Sequence, residues 1–500
     1  MLRLLGTRKT LCNGLSRRDL LHVGGLGLFG LGLSNFLELT EARANTHGNF
    51  PHFGRAKSCI LLYLFGSPAA HETWDPKPDA PQEIQGELKA TRTALPGVLI
   101  GEMLPQVGKV LDRVTVVRTL NHAFPLHGVH YAVSGVPFVD GSIEADPRDT
   151  RLWPFIGSVL DYVQAQRATG NFPPVPRNIA LPWLFYSRCF FRPIGGPYAS
   201  FLGAQYDPVW TNFPDEGTTI APKVDDRQTG EFRDPYLAVD PKSRLMLSGA
   251  DAIQADVPPQ RFTSRRTLLE QFDSTRRAAD DDKHVKTYNN YQNMAYSLLT
   301  STKVRKALDV ERETAEMRNR YGMHLFGQSA LAARRLVEAG SKFVTVFWDA
   351  YSYNTGGWDT HTYHYPRLKK MLLPGFDQTF SALITDLEAR GLLDETLVLV
   401  LSEHGRAPKL LTNVAGGSGR DHWSRTYPAA LAGAGIARGK VVGRTDRTGG
   451  DVLSTPVSPK DILATAFHLL GIDPDMTVNN AVGRPVGISG DGRVRPELLA

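Results

Sequence analysis

The stretch TLVLVLSEHG, residues 396–405, runs from apolar residues directly into a carboxylate and an imidazole. Its first part predicts a β-strand from Thr396 to Ser402, because the run is short, apolar and rich in leucine and β-branched valine. Glu403 and His404 then follow the end of that strand. Loops at the carboxyl ends of parallel strands line a crevice. The stretch therefore predicts both a fold class and the place of a functional site.

Other parts of the chain repeat this strand pattern, with helices between the later strands. Further apolar runs predict strands at 58–65, 114–117, 342–348 and 428–431. One predicted helix has Pro374 in its first turn and a one-faced apolar stripe. The last has Ser458 at its N-cap, Pro459 at N1 and Gly471 past its end. This alternation predicts an α/β protein with three α/β/α layers and a mainly parallel central sheet.

The first 44 residues have the composition of a targeting signal. The segment SRRDLL, residues 16–21, resembles a twin-arginine export signal, and a Gly-rich apolar run follows it. Ala42-Arg43-Ala44 has the small-x-small pattern of a cleavage site. We expect residues 1–44 to be a signal peptide and the mature protein to be periplasmic or extracellular. An amphipathic or anchoring N-terminus is the alternative. Later segments are too short or too polar to span a bilayer.

Residues 45–500 are expected to form a single domain. Their number, 500 minus 44 or 456, suffices for one large α/β domain with insertions, or for two domains. Residues 171–260 are rich in proline, aromatic and turn-forming residues, which predicts a loop-rich insertion that forms a lid or a substrate-facing wall. Residues 263–340 show helical patterns.

Charge and cysteine content exclude two classes of protein. The chain has a formal net charge of +6, but the expected signal holds six Lys and Arg against three Asp and Glu; the remainder has 51 against 48, or +3. This balance, without a basic stripe, argues against nucleic-acid binding. Without Cys12, only Cys59 and Cys189 remain, which excludes a disulfide scaffold. Two unreactive thiols are expected, and a single bridge is the alternative.

Two more segments pair a carboxylate with an imidazole at or beyond predicted strand ends. They are GGWDTH, residues 356–361, and RDHW, residues 420–423. Together with the first segment they offer oxygen and nitrogen ligands for one or two divalent ions, zinc or manganese, with calcium as a further alternative. Taken singly, each pair has the alternative of a hydrogen-bonded structural contact.

The predicted metal ligands are Asp359, His361, Glu403, His404 and His422. Side chains two apart share one face of an extended segment, so Asp359 and His361 can reach the same ion. Glu403 and His404 are adjacent and point to opposite sides, serving two ions or one ion and an orienting contact. His422 approaches from a separate loop. Two ions roughly 3.5–4 Å apart would hold both oxygens of an in-line displacement.

A histidine cluster and two arginines are candidates for substrate binding. His122, His127 and His130 lie close together in sequence, and His127 and His130 are three apart, hence neighbours on a helix face. They can bind a metal or a substrate oxyanion, with a buried hydrogen-bonded pair as the alternative. Arg406 and Arg420, beside the ligand motifs, are candidates for a bidentate anion clamp, with solvated surface arginines as the alternative.

In this order, the motifs resemble the exported bacterial family of domain of unknown function 1501 (DUF1501). The resemblance extends from residues 57–59 through GSP (66–68) and WDPKP (74–78) to TPVSPKD (455–461). That family is similar in fold to the alkaline phosphatase and sulfatase superfamily. The resemblance implies an alkaline-phosphatase-like fold and a metal site, in which the five predicted ligands match the superfamily's later ligand motifs, with His364 as a substitute for His361.

The N-terminal part departs from the superfamily pattern, which has an Asp ligand and then a nucleophile after the first strand. Here Gly66 and Ser67 follow that strand, and Glu72 and Asp75 are the nearest carboxylates. The resemblance makes Ser67 and Thr73 the candidate nucleophiles. Asp75 has the alternative of a rigid turn in which it bonds its own backbone. The chain lacks Cys-x-Pro/Ala-x-Arg around Cys59 and Cys189, which argues against sulfatase chemistry with a modified cysteine.

The function expected from these residues and this resemblance is an exported metal-dependent hydrolase of phosphate or sulfate esters. Its substrate would be an anionic ester or polysaccharide. The first alternative is a catalytically degenerate envelope protein of the same fold that binds such a ligand without turnover. The second is a purely structural envelope protein.

Overall fold

The computed structural model of the chain describes residues 50–124, 127–136, 146–147, 149–168, 173–189, 195–224, 226, 228, 230–248, 301–352 and 357–500. Residues 52–500 belong to one unit by their internal contacts. The expected signal peptide and residues 263–300 of the predicted helical region lie outside the described residues. Among the described helices, none has the length and apolar character needed to cross a membrane.

Nine strands of the described residues form the central sheet. In chain order they are β1 (Ser58–Leu64), β2 (Val114–Leu120), β3 (Asn178–Leu181), β4 (Val209–Asn212), β5 (Met246–Leu247), β6 (Phe343–Trp348), β7 (Thr396–Leu401), β8 (Tyr427–Ala432) and β9 (Lys440–Val442). Across the sheet their order is β9-β2-β8-β7-β1-β6-β3-β4-β5. The five strands predicted from sequence are confirmed as β1, β2, β6, β7 and β8.

Most strands of this sheet point the same way. The adjacent strands β7, β1, β6, β3 and β4 are mutually parallel, and β9 is parallel to β2. β8 is antiparallel to both of its neighbours, β7 and β2, and β5 is antiparallel to β4. The predicted α/β class with a mainly parallel central sheet is therefore confirmed.

The reversed direction of β8 decides where the preceding loop lies. Ala432, the last residue of β8, pairs with Val398 near the start of β7, whereas Tyr427 pairs with Leu120 at the end of β2. The chain therefore enters β8 from the edge at which β2 and β7 end. His422 lies five residues before this strand and so comes to the same edge as the residues that follow β7.

The helices of the described residues are numbered in chain order, and most of them pack in two groups. They are α1 (Gln82–Gln85), α2 (Pro105–Val110), α3 (Val129–Ser134), α4 (Ile156–Arg167), α5 (Thr302–Leu308), α6 (Ala315–Tyr321), α7 (Leu325–Glu338), α8 (His364–Arg367), α9 (Leu373–Ala389) and α10 (Pro459–Leu469). In the first group α2, α6 and α7 contact α9, and α5 contacts α7. In the second group α3 and α4 contact α10. A π-helical turn, Leu368–Leu372, connects α8 to α9.

Short elements complete the described fold. Four two-stranded ribbons pair Ala90–Arg92 with Leu99–Gly101, Gly405–Arg406 with His422–Trp423, Arg444–Thr445 with Val452–Ser454, and Thr477–Asn479 with Pro485–Gly487. The 3-10 turns are Ala70–Glu72, Leu111–Arg113, Ser200–Leu202, Ala204–Tyr206, Val310–Arg312, Leu393–Glu395, Ala415–Gly417 and Pro496–Leu498.

The central strand β1 is buried on both faces. Successive side chains of a strand point to opposite faces. Ile60 and Leu62 belong to the large apolar cluster that includes residues of α7 and α9. Cys59, Leu61 and Tyr63 alternate with them and are also completely buried. Both faces of the sheet are therefore covered, as the unbroken apolar sequence predicts for a parallel strand.

The region predicted as a loop-rich insertion also contributes to the sheet. The strands β3, β4 and β5 lie within residues 178–247 and extend the sheet beyond β6. They have two to four residues each, too short to produce a periodic pattern in the sequence. The remaining described residues of this region form turns and short 3-10 segments.

The predicted cap of the last helix is confirmed. Ser458 caps α10 in a capping box: its side chain accepts a hydrogen bond from the Asp461 backbone N–H, and the Asp461 side chain accepts one from the Ser458 backbone. The two described cysteines, Cys59 and Cys189, do not form a disulfide with each other. Burial raises the pKa of the Cys59 thiol well above its ordinary value, which makes it unreactive.

Substitution of Leu62 tests the packing of β1. Because Leu62 is completely buried, Leu62→Ala is expected to lower the free energy of unfolding by about 2–5 kcal/mol, the range for buried leucines. Urea unfolding followed by circular dichroism measures the change. Leu453→Ala, at a side chain that is 64% exposed, is the control and should change stability by less than about 0.5 kcal/mol. Equal stabilities of the two variants would contradict the assigned core.

Candidate metal centre

Three chain segments bring predicted ligands to one edge of the sheet. Asp359 and His361 lie in the loop after β6, and Glu403 and His404 directly follow β7. His422 lies in the short ribbon that begins at Gly405, opposite Arg406. The carboxyl ends of β6 and β7 and the entry to β8 meet at this edge, so residues distant in sequence become neighbours.

Asp359, His361 and His422 form the first ligand triad. The Nε2 atoms of His361 and His422 are 2.9 Å apart. The Asp359 Oδ1 atom lies 3.1 Å from His361 Nε2 and 3.4 Å from His422 Nε2. All three ligand atoms thus lie within 4.8 Å of one another. Two imidazoles and one carboxylate are a common ligand set for zinc.

His127, His404 and His422 form the second triad. One ligand nitrogen from each lies within 4.8 Å of the other two. The ring of His422 has its centroid 4.2 Å from that of His404 and 4.3 Å from that of His127. His422 therefore belongs to both triads and lies between them.

His404 presents an imidazole in the form that binds metal. It is completely buried, and its Nδ1 atom lies 2.7 Å from the Gly405 carbonyl oxygen, so Nδ1 carries the proton and donates it. The unprotonated Nε2 has no hydrogen-bond partner among the residues that the structure describes. Burial, and then the charges of Arg406, His422 and His127, hold the pKa of His404 well below its ordinary value. A buried lone pair without a partner is costly, and a metal ion would satisfy it.

His127 lies between two carboxylates. Its Nδ1 atom is 2.9 Å from Glu403 Oε1, and its Nε2 atom is 3.3 Å from Asp359 Oδ2. Burial alone would lower the pKa of His127, but hydrogen bonds to Asp359 and Glu403 raise it to about 9. His127 is therefore charged in the metal-free protein at neutral pH, and metal binding there would displace a proton.

Glu403 belongs to neither triad. Its Oε1 atom accepts a 2.8 Å hydrogen bond from the Gly66 backbone N–H, and its Oε2 atom accepts one of 3.2 Å from the Tyr63 hydroxyl. Its Oε1 atom also lies 2.9 Å from His127 Nδ1. Of the two roles predicted for adjacent Glu403 and His404, this geometry favours an orienting contact for Glu403.

Asp421 holds His361 from outside the triads. Its Oδ1 atom lies 3.0 Å from His361 Nδ1, and its side chain is 60% exposed. This carboxylate–histidine contact assigns the proton to Nδ1 of His361 and leaves Nε2 free for a metal, an arrangement frequent around metal-bound histidines. Asp421 lies in the RDHW segment identified from the sequence. Its spacing there is equally compatible with a metal ligand and with a residue that orients a ligand.

Arg406 is buried and bonds inside the protein. Its Nε atom donates to the carbonyl oxygens of Gly66 (2.9 Å) and Ser67 (3.3 Å), Nη1 donates to that of Arg420 (3.1 Å), and Nη2 donates to Asp359 Oδ1. Burial would raise the pKa of Asp359, but Arg406, followed by three histidines, holds it well below its ordinary value. Arg406 thus compensates the Asp359 charge, and its guanidinium is not directed outward as an anion clamp.

Arg420 is also turned inward. Its guanidinium contacts Glu72 Oε1 through Nη2 (2.6 Å) and Nε (3.1 Å), and it donates to the carbonyl oxygens of Ile84 and Ala407. The side chain is completely buried. The structure therefore corrects both sequence interpretations of Arg420, since it is neither solvated nor available to a bound anion.

Ser67 is the predicted nucleophile that lies beside the triads. It follows β1 with a φ of 70°, is completely buried, and its Oγ atom accepts a 3.2 Å hydrogen bond from the His404 backbone N–H. Thr73 donates instead to the Ala69 carbonyl oxygen at 2.7 Å. Asp75 pairs with Lys77 at 2.9 Å rather than bonding its own backbone. Asp75 also pairs with Arg118 at 3.3 Å and accepts a hydrogen bond from Thr445, so Thr73 and Asp75 are both engaged in structural contacts.

The remaining predicted histidines have structural partners. Helix α3 begins at Val129, so His127 precedes it, and the prediction that His127 and His130 share a helix face is wrong. His130 Nε2 accepts a 3.0 Å hydrogen bond from the Trp153 backbone N–H. His122 Nε2 donates to the Glu403 carbonyl oxygen at 2.8 Å. His364 faces Thr360 and does not replace His361 in the first triad.

The triads and the α/β fold define a candidate metal centre at the carboxyl edge of a mainly parallel sheet. The chain belongs to the family described as protein of unknown function (DUF1501), whose model matches residues 56–499. No curated protein matches the chain.

Several solved structures share the general architecture at low sequence identity. The sulfatase PsFucS1 from Pseudoalteromonas sp. is 10% identical, with 92% of this chain and 74% of that chain covered and a TM-score of 0.39. The phosphonate monoester hydrolase of Agrobacterium radiobacter is 11% identical, with 88% and 77% covered and a TM-score of 0.37. These likenesses concern the fold alone.

Acid unfolding of the metal-free protein tests the environment of Asp359. Its pKa is depressed in the folded state, so its charge stabilises the fold above its ordinary pKa of about 4, and this contribution is lost as the pH falls from there. Asp359→Asn should therefore be less stable than wild type near pH 7, and the difference should shrink towards pH 3. Urea unfolding with a chelator at several pH values measures it. A difference that is independent of pH would contradict this assignment.

Proposed function

We propose that this protein is a metal-dependent hydrolase of phosphate or sulfate esters that acts outside the cytoplasm. The single observation that carries the proposal is the pair of ligand triads that share His422, together with the buried Nε2 atom of His404, which has no hydrogen-bond partner in the described part of the chain. The twin-arginine motif at residues 16–21 supports export. The substrate class is an anionic ester, either a small molecule or a group on a polysaccharide.

The donor set favours a particular kind of ion. Four of the five residues in the two triads are histidines, and the fifth is Asp359. Imidazole nitrogen suits zinc and, with a carboxylate, manganese, whereas calcium is held by oxygen ligands. We therefore propose zinc or manganese and no longer include calcium. A bound ion would polarise the ester oxygen and lower the pKa of a water molecule.

The residues around the triads have supporting roles in this proposal. Asp421 keeps Nε2 of His361 free for a metal, and Glu403 orients His127 through its Nδ1 atom. Arg406 balances the charge of Asp359. His127 is already charged in the metal-free protein, and it can bind the negative oxygen of the ester if the ion occupies the first triad alone.

Water is the proposed nucleophile. The Ser67 hydroxyl is buried and already accepts a hydrogen bond from the His404 backbone, and Thr73 bonds Ala69. Neither hydroxyl has the exposed position that attack on a substrate requires. An activated water needs only the triads and space beside them.

The same hydroxyl geometry favours one alternative, a protein that binds an anionic ligand without turnover. Gly66 stands where the superfamily pattern has an Asp, and its backbone N–H donates to Glu403. A screen of aryl phosphates and aryl sulfates with added zinc or manganese separates the two functions. Product formation supports the hydrolase, whereas saturable binding without product supports the alternative.

Metal content tests the centre itself. We expect purified protein to hold at least one equivalent of zinc or manganese, and His422→Ala to lose most of it, because His422 belongs to both triads. Elemental analysis after removal of free metal gives the stoichiometry, and hydrolysis is measured in parallel. The control is His52→Ala, since that ring lies 3.1 Å from the Ala500 carbonyl oxygen and His52 belongs to neither triad. A metal-free wild-type protein, or a His422→Ala variant with wild-type metal content and hydrolysis, would contradict the proposal.

Substitution of Ser67 distinguishes water from a serine nucleophile. Ser67→Gly removes the hydroxyl and tolerates the φ of 70°. We expect it to retain metal and to hydrolyse substrate within about tenfold of wild type, since removal of a true nucleophile costs several orders of magnitude. Steady-state kinetics and metal analysis on one preparation make the comparison. Loss of hydrolysis with full metal content would assign the nucleophile to Ser67 instead.

A further inference from the structure

Next to the candidate metal centre, a closed ring of polar contacts connects Glu72, Arg420, Thr360 and His364. Glu72 Oε1 contacts the Arg420 guanidinium at 2.6 Å, and the Arg420 backbone N–H donates to the Thr360 carbonyl oxygen at 3.1 Å. The Thr360 hydroxyl lies 2.7 Å from His364 Nδ1, and His364 Nε2 lies 3.5 Å from Glu72 Oε1. The contacts thus return to Glu72.

Every member of this ring is withdrawn from solvent. Arg420 and His364 are completely buried, and Glu72 and Thr360 are 1% exposed. Burial would raise the pKa of Glu72, but Arg420 and then His364 hold it well below its ordinary value, so Glu72 is a carboxylate. The Tyr365 hydroxyl also donates to Glu72 Oε1 at 3.2 Å. The hydrogen bonds of Glu72 with Arg420 and Tyr365 are strong in a low-dielectric interior and allow little movement. The 3.5 Å approach of His364 Nε2, by contrast, is a packing contact without a hydrogen bond.

The ring connects the two loops that carry the first triad. Thr360 lies between Asp359 and His361, and Arg420 is two residues before His422. The backbones of the two loops also touch directly, since a Cβ atom added at Gly419 would lie 1.8 Å from the His361 carbonyl oxygen. The relative position of His361 and His422 therefore depends on how Thr360 and Arg420 are held.

We propose that Glu72 is a positioning residue for the candidate metal centre: by binding Arg420 and packing against His364, it fixes the loops of His361 and His422 at the separation that a metal ion requires. This inference rests on the proposed function, because it assigns Glu72 a role in metal binding. Glu72 belongs to neither triad, and it acts through the segments that carry the ligands. Residues that orient metal ligands from outside in this way strongly affect metal affinity.

The test compares metal affinity with stability in variants of the full chain. In Glu72→Gln the charge is removed with little change of shape. We expect it to bind zinc about 10- to 100-fold more weakly than wild type, measured by competition with a chromophoric chelator. The control is Asp386→Asn, which breaks the buried ion pair between Asp386 and Arg334 in the helical layer. It should lower the melting temperature without changing zinc affinity.

A second pair of variants keeps the test decisive if Glu72→Gln does not fold. Thr360→Val removes the hydroxyl that contacts His364 and preserves the side-chain shape, whereas Thr360→Ser retains the hydroxyl. We expect Thr360→Val to lose zinc affinity and Thr360→Ser to bind nearly as wild type does.

The outcomes separate this inference from the proposed function. Wild-type zinc affinity in Glu72→Gln, or in Thr360→Val where the first variant does not fold, overturns the positioning role and leaves the proposed function intact. Equal losses of affinity in Glu72→Gln and Asp386→Asn also overturn it, since general destabilisation then explains both. A wild-type chain that binds neither zinc nor manganese overturns the proposed function and this inference together.

Discussion

The guanidinium of Arg406 lies where the end of β1, the loop after β6 and the loop before β8 meet. It donates to the carbonyl oxygens of Gly66, Ser67 and Arg420 and to the carboxylate of Asp359. A buried charge is stable only when it is paired and its donors are used. Arg406 satisfies this requirement with groups from three segments, so the edge of the sheet can form only when all three are in place.

A second consequence concerns the charge available to a substrate. Arg406 and Arg420 both lie beside ligand motifs, yet both are buried and bonded to groups of the protein. Under the proposed function, the negative charge of an ester would be met by the bound ion and by His127. Recognition of the anion would then depend mainly on the metal ion. A site with an arginine available to bind the anion would depend less on its metal.

The sequence predicts much of the fold because the central strands are long, apolar and followed by conspicuous acid/imidazole pairs. Asp359, His361, His404 and His422 are found where the strand-end argument places them. The direction of β8 could not be predicted, since its apolar run is the same for either direction. His127 could be listed only as a substrate-binding candidate, because its place between Asp359 and Glu403 depends on contacts far apart in the chain.

The arginines show a different limit of sequence reasoning. An arginine beside a ligand motif is compatible with solvent, with a bound anion or with a buried carboxylate, and only the fold selects among them. For Arg420 the partner is Glu72, 348 residues earlier in the chain. For Arg406 the partners include backbone carbonyl groups, which leave no signature in the sequence.

The triads join parts of the chain that are remote in sequence. His361 and His422 are 61 residues apart, and His127 and His404 are 404 minus 127, or 277, residues apart. An ion held there would act as a removable cross-link that closes long loops, much as a disulfide does, and this chain has no disulfide between its two described cysteines. Loss of the ion would then speed global unfolding, so the lifetime of the folded protein in a metal-poor environment would be set by the rate at which the ion dissociates.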